Sequence, residues 1–112
     1  MNTWKEINLE EGMPTVDEAM GYLKGALAMC RQEKYKCLTI IHGYGSTGKG
    51  GAIGEKVQKW LMAQKKQGAV KNVIFGGEFT IFNFEALALK NKYRELEAYI
   101  GGNNHGVTIV EL

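Results

Sequence analysis

The residues best able to do chemistry gather in one stretch, Ile40-Ile41-His42-Gly43-Tyr44-Gly45-Ser46-Thr47-Gly48-Lys49-Gly50-Gly51-Ala52-Ile53. A short apolar run empties there into a glycine-dense loop that carries an imidazole and an ammonium. Glycines let backbone N–H groups approach a ligand closely, and a helix following such a loop aims its unpaired N–H groups and positive dipole end at the same point. Both features favour an anion, above all phosphate. His42 adds a group whose ordinary pKa lies near 6.5, suited to proton transfer, and Lys49 adds a fixed positive charge. His42 has a second role open to it, capping the loop through hydrogen bonds to backbone. The phosphate belongs either to a nucleotide or to a nucleic-acid backbone.

The nucleotide reading rests on Gly43-Tyr44-Gly45-Ser46-Thr47-Gly48-Lys49, which satisfies G-x-x-x-x-G-K between a strand and a helix. The next position needs Ser or Thr to hold magnesium, and Gly50 stands there. No later strand ends in an aspartate that completes a metal site, and Glu111 comes almost at the end of the chain. ATP or GTP hydrolysis is therefore disfavoured, and a phosphate-binding, P-loop-like protein is kept as an alternative.

Charge distribution points to the second reading. The 112 residues carry a net charge of only +2. Residues 1–24 hold five acids against Lys5 and Lys24, whereas residues 49–71 hold Lys49, Lys56, Lys59, Lys65, Lys66 and Lys71 against Glu55. A lysine-rich helix face is either simply solvated or the electrostatic footprint of a nucleic acid. Tyr44 has the aromatic face on which an unpaired base stacks. Trp4 and Trp60 read as packing residues.

These groups need a scaffold. A weak first strand at Ile7-Asn8-Leu9 precedes Thr15 and Glu18, which have capping-box spacing, and Val16, Met20, Leu23, Leu27 and Cys30 repeat with helical period, predicting a helix over 16–33. Cys37-Leu38-Thr39-Ile40-Ile41 is the nearly continuous apolar run of a strand covered on both faces. A second helix runs from Ala52 to about Gln67, with Ile53, Val57, Trp60 and Leu61 inward and Gly68 as its cap. Val70 to Phe75 reads as a third strand. Phe82, Ala86, Leu89, Tyr93, Leu96 and Ile100 predict a third helix, and Gly106 to Leu112 a buried final strand. His105 sits in the turn before that strand, at the His42 edge if the last two strands are antiparallel. The order βαβαβ(α)β predicts one α/β domain over 1–112, a two-layer sandwich on a four-stranded, mainly parallel or mixed sheet. The length suits a single core, and the 15 glycines against one proline suit loops rather than disorder. Cys30 and Cys37 fall on buried stripes and are expected to be reduced thiols, neither disulfide nor zinc ligands. The polar N-terminus and the lack of any long apolar run predict a cytoplasmic protein with no membrane partner.

Three stretches in register resemble one family. Ile41-His42-Gly43-Tyr44-Gly45 matches an H-G-x-G loop, Thr15-Val16-Asp17-Glu18-Ala19 is similar to T-x-E-E-A at the start of helix one, and Gly106 to Leu112 matches a final strand G-x-T-x-V-x-L. These are features of the Smr, or small MutS-related, domain. The resemblance implies an α/β sandwich similar to the C-terminal domain of a translation initiation factor, acting on DNA or RNA as a nicking endonuclease or a binding module. His42, Gly43 and Gly45 carry over directly. Tyr44 replaces the basic residue common in that loop, so Lys49 supplies the charge, with Lys56 and Lys59 behind it.

The family's upstream L-D-x-H-G element falls on Ile7-Asn8-Leu9-Glu10-Glu11, so Asn8 and Glu10 replace the Asp and His linked to cleavage. The candidate catalytic groups are thus His42 and Glu10. No cofactor is required for binding, whereas a nuclease of this kind would use Mg or Mn. Against the family pattern, residues 78–100 are expected to be a helical insertion, which a protein-interaction domain would use instead.

Overall fold

Apolar and polar residues alternate in short runs, and in a computed structural model that describes residues 3–43, 51–101 and 104–112 those runs become the strands of one sheet. In chain order the elements are β1 (Trp4–Asn8), α1 (Val16–Gln32), β2 (Cys37–Ile41), α2 (Gly51–Lys66), β3 (Asn72–Phe75), α3 (Phe84–Lys92) and β4 (Val107–Glu111). Single 3-10 segments follow β3 at Gly76–Glu78 and α3 at Arg94–Tyr99. The strand order is β1-β2-β4-β3. β1 pairs parallel with β2, whereas β4 pairs antiparallel with both β2 and β3. The sheet is mixed, and its parallel pairing is confined to β1 and β2.

Local chemistry sets the helix ends. Thr15 Oγ1 accepts from the Glu18 amide at 3.2 Å and Glu18 Oε1 accepts from the Thr15 amide at 2.9 Å, so the capping box forms. α2 ends where Gly68 adopts φ +80°, with the Gly68 amide on the Lys65 carbonyl and the Ala69 amide on the Gln64 carbonyl, the Schellman arrangement.

Strand alternation divides the core in two. Ile7, Leu38, Ile40, Val73 and Val110 face Leu23, Leu27, Val57 and Leu61 of α1 and α2. Each fully buried leucine stabilises by about 2 kcal/mol over its exposed state. On the other face, Cys37, Ile74 and Ile109 meet Phe79, Ala86, Leu89, Tyr93 and Leu96. The sandwich of sheet and two helices thus gains a third layer, and β2 and β4 are covered on both sides. Cys30 and Cys37 are buried free thiols, and burial, with Glu111 and Glu95 nearby, pushes Cys37 up to about 12.

The region after β3 departs from its predicted form. The expected continuous helix is α3 plus the 3-10 segment, broken at Tyr93, whose backbone is extended. Asn83 Oδ1 accepts from the amides of Glu85 and Ala86, which starts α3 at Phe84 and leaves Phe82 outside the stripe, 89% exposed. The break serves a buried polar cluster. Glu111, at the end of β4, accepts from Lys92 Nζ at 2.9 Å, Asn72 Nδ2 at 3.0 Å and the Tyr93 hydroxyl at 3.2 Å.

Burial opposes ionisation of Glu111, but these donors and the Lys92 charge outweigh it and hold the carboxyl below its ordinary value. A depressed carboxyl pKa contributes stability above the unfolded pKa that is lost as pH falls through the folded one. Glu111→Ala leaves the buried Tyr93 hydroxyl and the part-buried Asn72 amide without their acceptor, while Lys92 returns to water, and should cost about 1–3 kcal/mol at pH 7. In denaturant titrations the gap between wild type and variant should narrow as pH drops below about 4. A gap independent of pH would show that packing alone accounts for the loss.

Candidate phosphate-binding site

The carboxyl ends of β1 and β2 and the amino end of β4 share one edge of the sheet, where Asn8, Glu10, His42, Gly43 and Thr108 come together. β1 is prolonged by the Leu9 amide on the Ile41 carbonyl at 2.7 Å. Asn8 Oδ1 then accepts from the Glu10 amide at 2.9 Å, an Asx turn that turns the chain at Glu10. The Glu10 carboxyl fills the space that a β-carbon would occupy at Gly43, which itself has φ +81°. A side chain at Gly43 would be strained by that φ and would push the Glu10 carboxyl aside.

His42 continues the β2 alternation from Leu38 and Ile40, and so points under α2. It is 3% exposed. Nε2 lies 2.9 Å from Thr108 Oγ1 and Nδ1 lies 3.3 Å from the Gly43 carbonyl, while Gln58 Nε2 donates to Thr108 Oγ1 at 3.2 Å. One assignment satisfies every group: Gln58 donates to the threonine oxygen, the threonine hydroxyl donates to Nε2, and Nδ1–H donates to Gly43. Burial holds the imidazole below its ordinary pKa, opposed by the Gly43 carbonyl, the Glu10 carboxylate and the Val107 backbone. At neutral pH the ring is thus uncharged and both nitrogens are engaged.

α2 crosses close above the ring because Gly54 has no side chain; a β-carbon there would lie 2.8 Å from His42 Nδ1. The amides of His42 and Gly43 both reach the Gly106 carbonyl, at 2.9 and 3.0 Å. Thr108 and Gln58 escaped sequence reasoning. A lone hydroxyl inside the apolar strand Val107-Thr108-Ile109-Val110 was the available signal, since a buried hydroxyl needs a partner.

Of the candidate residues, Glu10, His42 and Gly43 meet at this edge, and Tyr44, Gly45 and Lys49 lie outside the described residues. Lys56 and Lys59 do not face the ring. Two and five residues beyond Gly54, they point well away from His42 around the helix, and line the groove between α1 and α2. The final turn does lie at this edge, since β4 is antiparallel to β3, and His105 packs over Gly77, exposed to solvent. Among the described residues no group of three or more His, Cys, Asp or Glu could hold a metal ion. Glu10 is the accessible carboxylate of the cluster, and the donor set of the described residues does not make a metal cage.

A mixed four-stranded sheet with helices packed on it and a buried histidine at the end of the second strand defines an open α/β class of domain. The family model described as the Smr domain matches residues 11–74, and the chain belongs to that family. The crystal structure of the Smr domain of Thermus thermophilus MutS2 has a similar fold, with a TM-score of 0.59 over 96% of each chain at 24% identity. No curated protein matches the chain. No helix among the described residues is long and apolar enough to cross a membrane.

Helix propensity favours alanine over glycine by about 1 kcal/mol, so the glycines of α1 and α2 make a controlled comparison. Gly25→Ala, with nothing within 4 Å of its new β-carbon, should raise stability by about 0.5–1 kcal/mol. Gly54→Ala should lower it despite the same propensity gain, because the methyl displaces the imidazole from Thr108. Equal gains in thermal melting at both positions would disprove the close approach of α2 to His42.

Proposed function

We propose that this domain binds the phosphate backbone of DNA or RNA at the sheet edge formed by Glu10, His42 and Gly43, with Tyr44, Gly45 and Lys49 of the glycine loop and Lys56 and Lys59 of α2 supplying further contacts. The observation that carries this reading is the family match over residues 11–74, which begins just after Glu10 and includes His42, Gly43 and the whole basic helix. In its binding role His42 is a positioning residue: neutral and engaged at both nitrogens, it holds Gly43 just beyond the end of β2. Cleavage is the weaker activity. Asn8 has no acid–base chemistry and spends its oxygen on the Glu10 amide, leaving Glu10 as the candidate base, next to a histidine with no free nitrogen. We infer further that residues 1–112 are one Smr-like domain, cytoplasmic in location, and that the segment from about 78 to 100 is an insertion that supplies the third layer.

A second reading, a protein-interaction surface on that insertion, draws support from Ile81, Phe82 and Phe84, which are 60%, 89% and 89% exposed. One set of measurements separates the readings. Binding to nucleic acid through lysines releases counterions, so affinity falls steeply with salt, and each lost phosphate contact lowers the logarithmic slope by about one. Replacing Lys49, Lys56 and Lys59 together with alanine should weaken binding and flatten the slope by about two to three units. An unchanged slope would sink the electrostatic footprint, and no binding by the wild type at low salt would favour the protein partner. Nicking of supercoiled plasmid and of single-stranded RNA, with and without Mg or Mn, should be slow in the wild type. Robust cleavage lost in both His42→Ala and Glu10→Ala would instead make the protein an endonuclease with a replaced carboxylate.

A further inference from the structure

Outside the His42 edge, the strongest unassigned feature is the groove between α1 and α2. Both helices start at the carboxyl edge of parallel strands and run down the same face of the sheet, with the groove between them. It encloses about 540 Å³, within the range of about 300–1,000 Å³ of small-ligand sites. Lys24 of α1 and Lys56 and Lys59 of α2 border it, Asp17 is its one acid, and Gly21 keeps the α1 wall low. Trp60 also lines it, half-buried, with Lys24 Nζ 5.8 Å from the ring centroid.

An aromatic plane among three ammonium groups has a specific chemical complement. Lysines take phosphates, and the indole takes a flat ring with an accessible face. In a duplex both faces of every internal base are covered by stacking, so only an unpaired nucleotide can present phosphate and ring face together. We propose that this groove is a single-strand site in which an unpaired base stacks on Trp60 while Lys24, Lys56 and Lys59 hold the flanking phosphates. Lys24 now covers the indole; base stacking outweighs an exposed cation–π contact, so the base takes that place and the ammonium turns to the neighbouring phosphate. The proposal rests on the nucleic-acid reading above and narrows it to strands with exposed bases.

The test uses the whole chain, with a fluorescein-labelled oligodeoxythymidine and a mixed-sequence duplex followed by anisotropy at fixed salt, and tryptophan emission read in parallel with unlabelled strand. The single strand should quench emission in step with binding, and the quench should vanish in Trp60→Phe, which keeps a stacking ring and most of the affinity. Trp60→Ala should weaken single-strand binding about tenfold or more and leave duplex binding unchanged. Lys24→Ala should lower the salt slope by about one unit. Thermal melts confirm that each variant folds; should Trp60→Ala not fold, the quench in wild type against Trp60→Phe decides alone. Wild-type binding with no Trp60-dependent quench, or full affinity in folded Trp60→Ala, overturns the groove site and leaves the nucleic-acid reading standing. Failure of the wild type to bind either probe at low salt removes both.

Discussion

The structure depends on one insertion: β4 lies between β2 and β3, antiparallel to both, and every one of its residues is buried. Without it the parallel pair β1–β2 and the strand β3 have no common hydrogen-bond ladder. Because β4 is covered above by α2 and below by α3, its side chains must be apolar or fully partnered, and the two that are polar have become the two polar anchors of the fold. Thr108 joins the ring of His42 to α2, and Glu111 joins β3 to the end of α3. An unpartnered group at either place would cost on the order of 1–3 kcal/mol.

These anchors sit at opposite edges of the sheet and do different work. At the Glu111 edge the carboxylate gathers donors from three other elements or segments and closes the third layer against the sheet. At the Thr108 edge the hydrogen bonds converge on an uncharged imidazole, and two left-handed glycines lie there: Gly43 at φ +81° and Gly12 at φ +82° in the turn that follows Glu10. Glycine adopts that backbone without steric cost, and at Gly43 the missing β-carbon admits close neighbours. Here the surroundings are the Glu10 carboxyl, the Gly106 carbonyl and the bare face of α2 at Gly54.

Much of this was legible in the sequence where periodicity carries information. The capping box at Thr15, the Gly68 cap, the β2 run buried on both faces and the helix stripes of α1 and α2 follow from local chemistry and spacing. The choice of Glu10, His42 and Gly43 as candidates followed from motif order. Two features did not. A stripe of Ala86, Leu89, Tyr93 and Leu96 has helical period whether or not the backbone continues through Tyr93, since a 3-10 turn delivers Leu96 to the same core. Nor does any local pattern reveal that Thr108 and Gln58 complete the histidine's hydrogen bonds, because those residues meet across 50 to 66 positions of sequence.

The central place of β4 also bears on synthesis. Ribosomes deliver this chain from the amino end, so β1, α1, β2, α2 and β3 emerge before the strand that must slot into their middle. Until then β2 and β3 each present a bare row of amides and carbonyls to solvent or to a neighbouring nascent chain, in the configuration most prone to wrong pairing. The domain's order of assembly is therefore set by its last strand, and its vulnerability to misfolding is greatest in the interval before that strand leaves the exit tunnel.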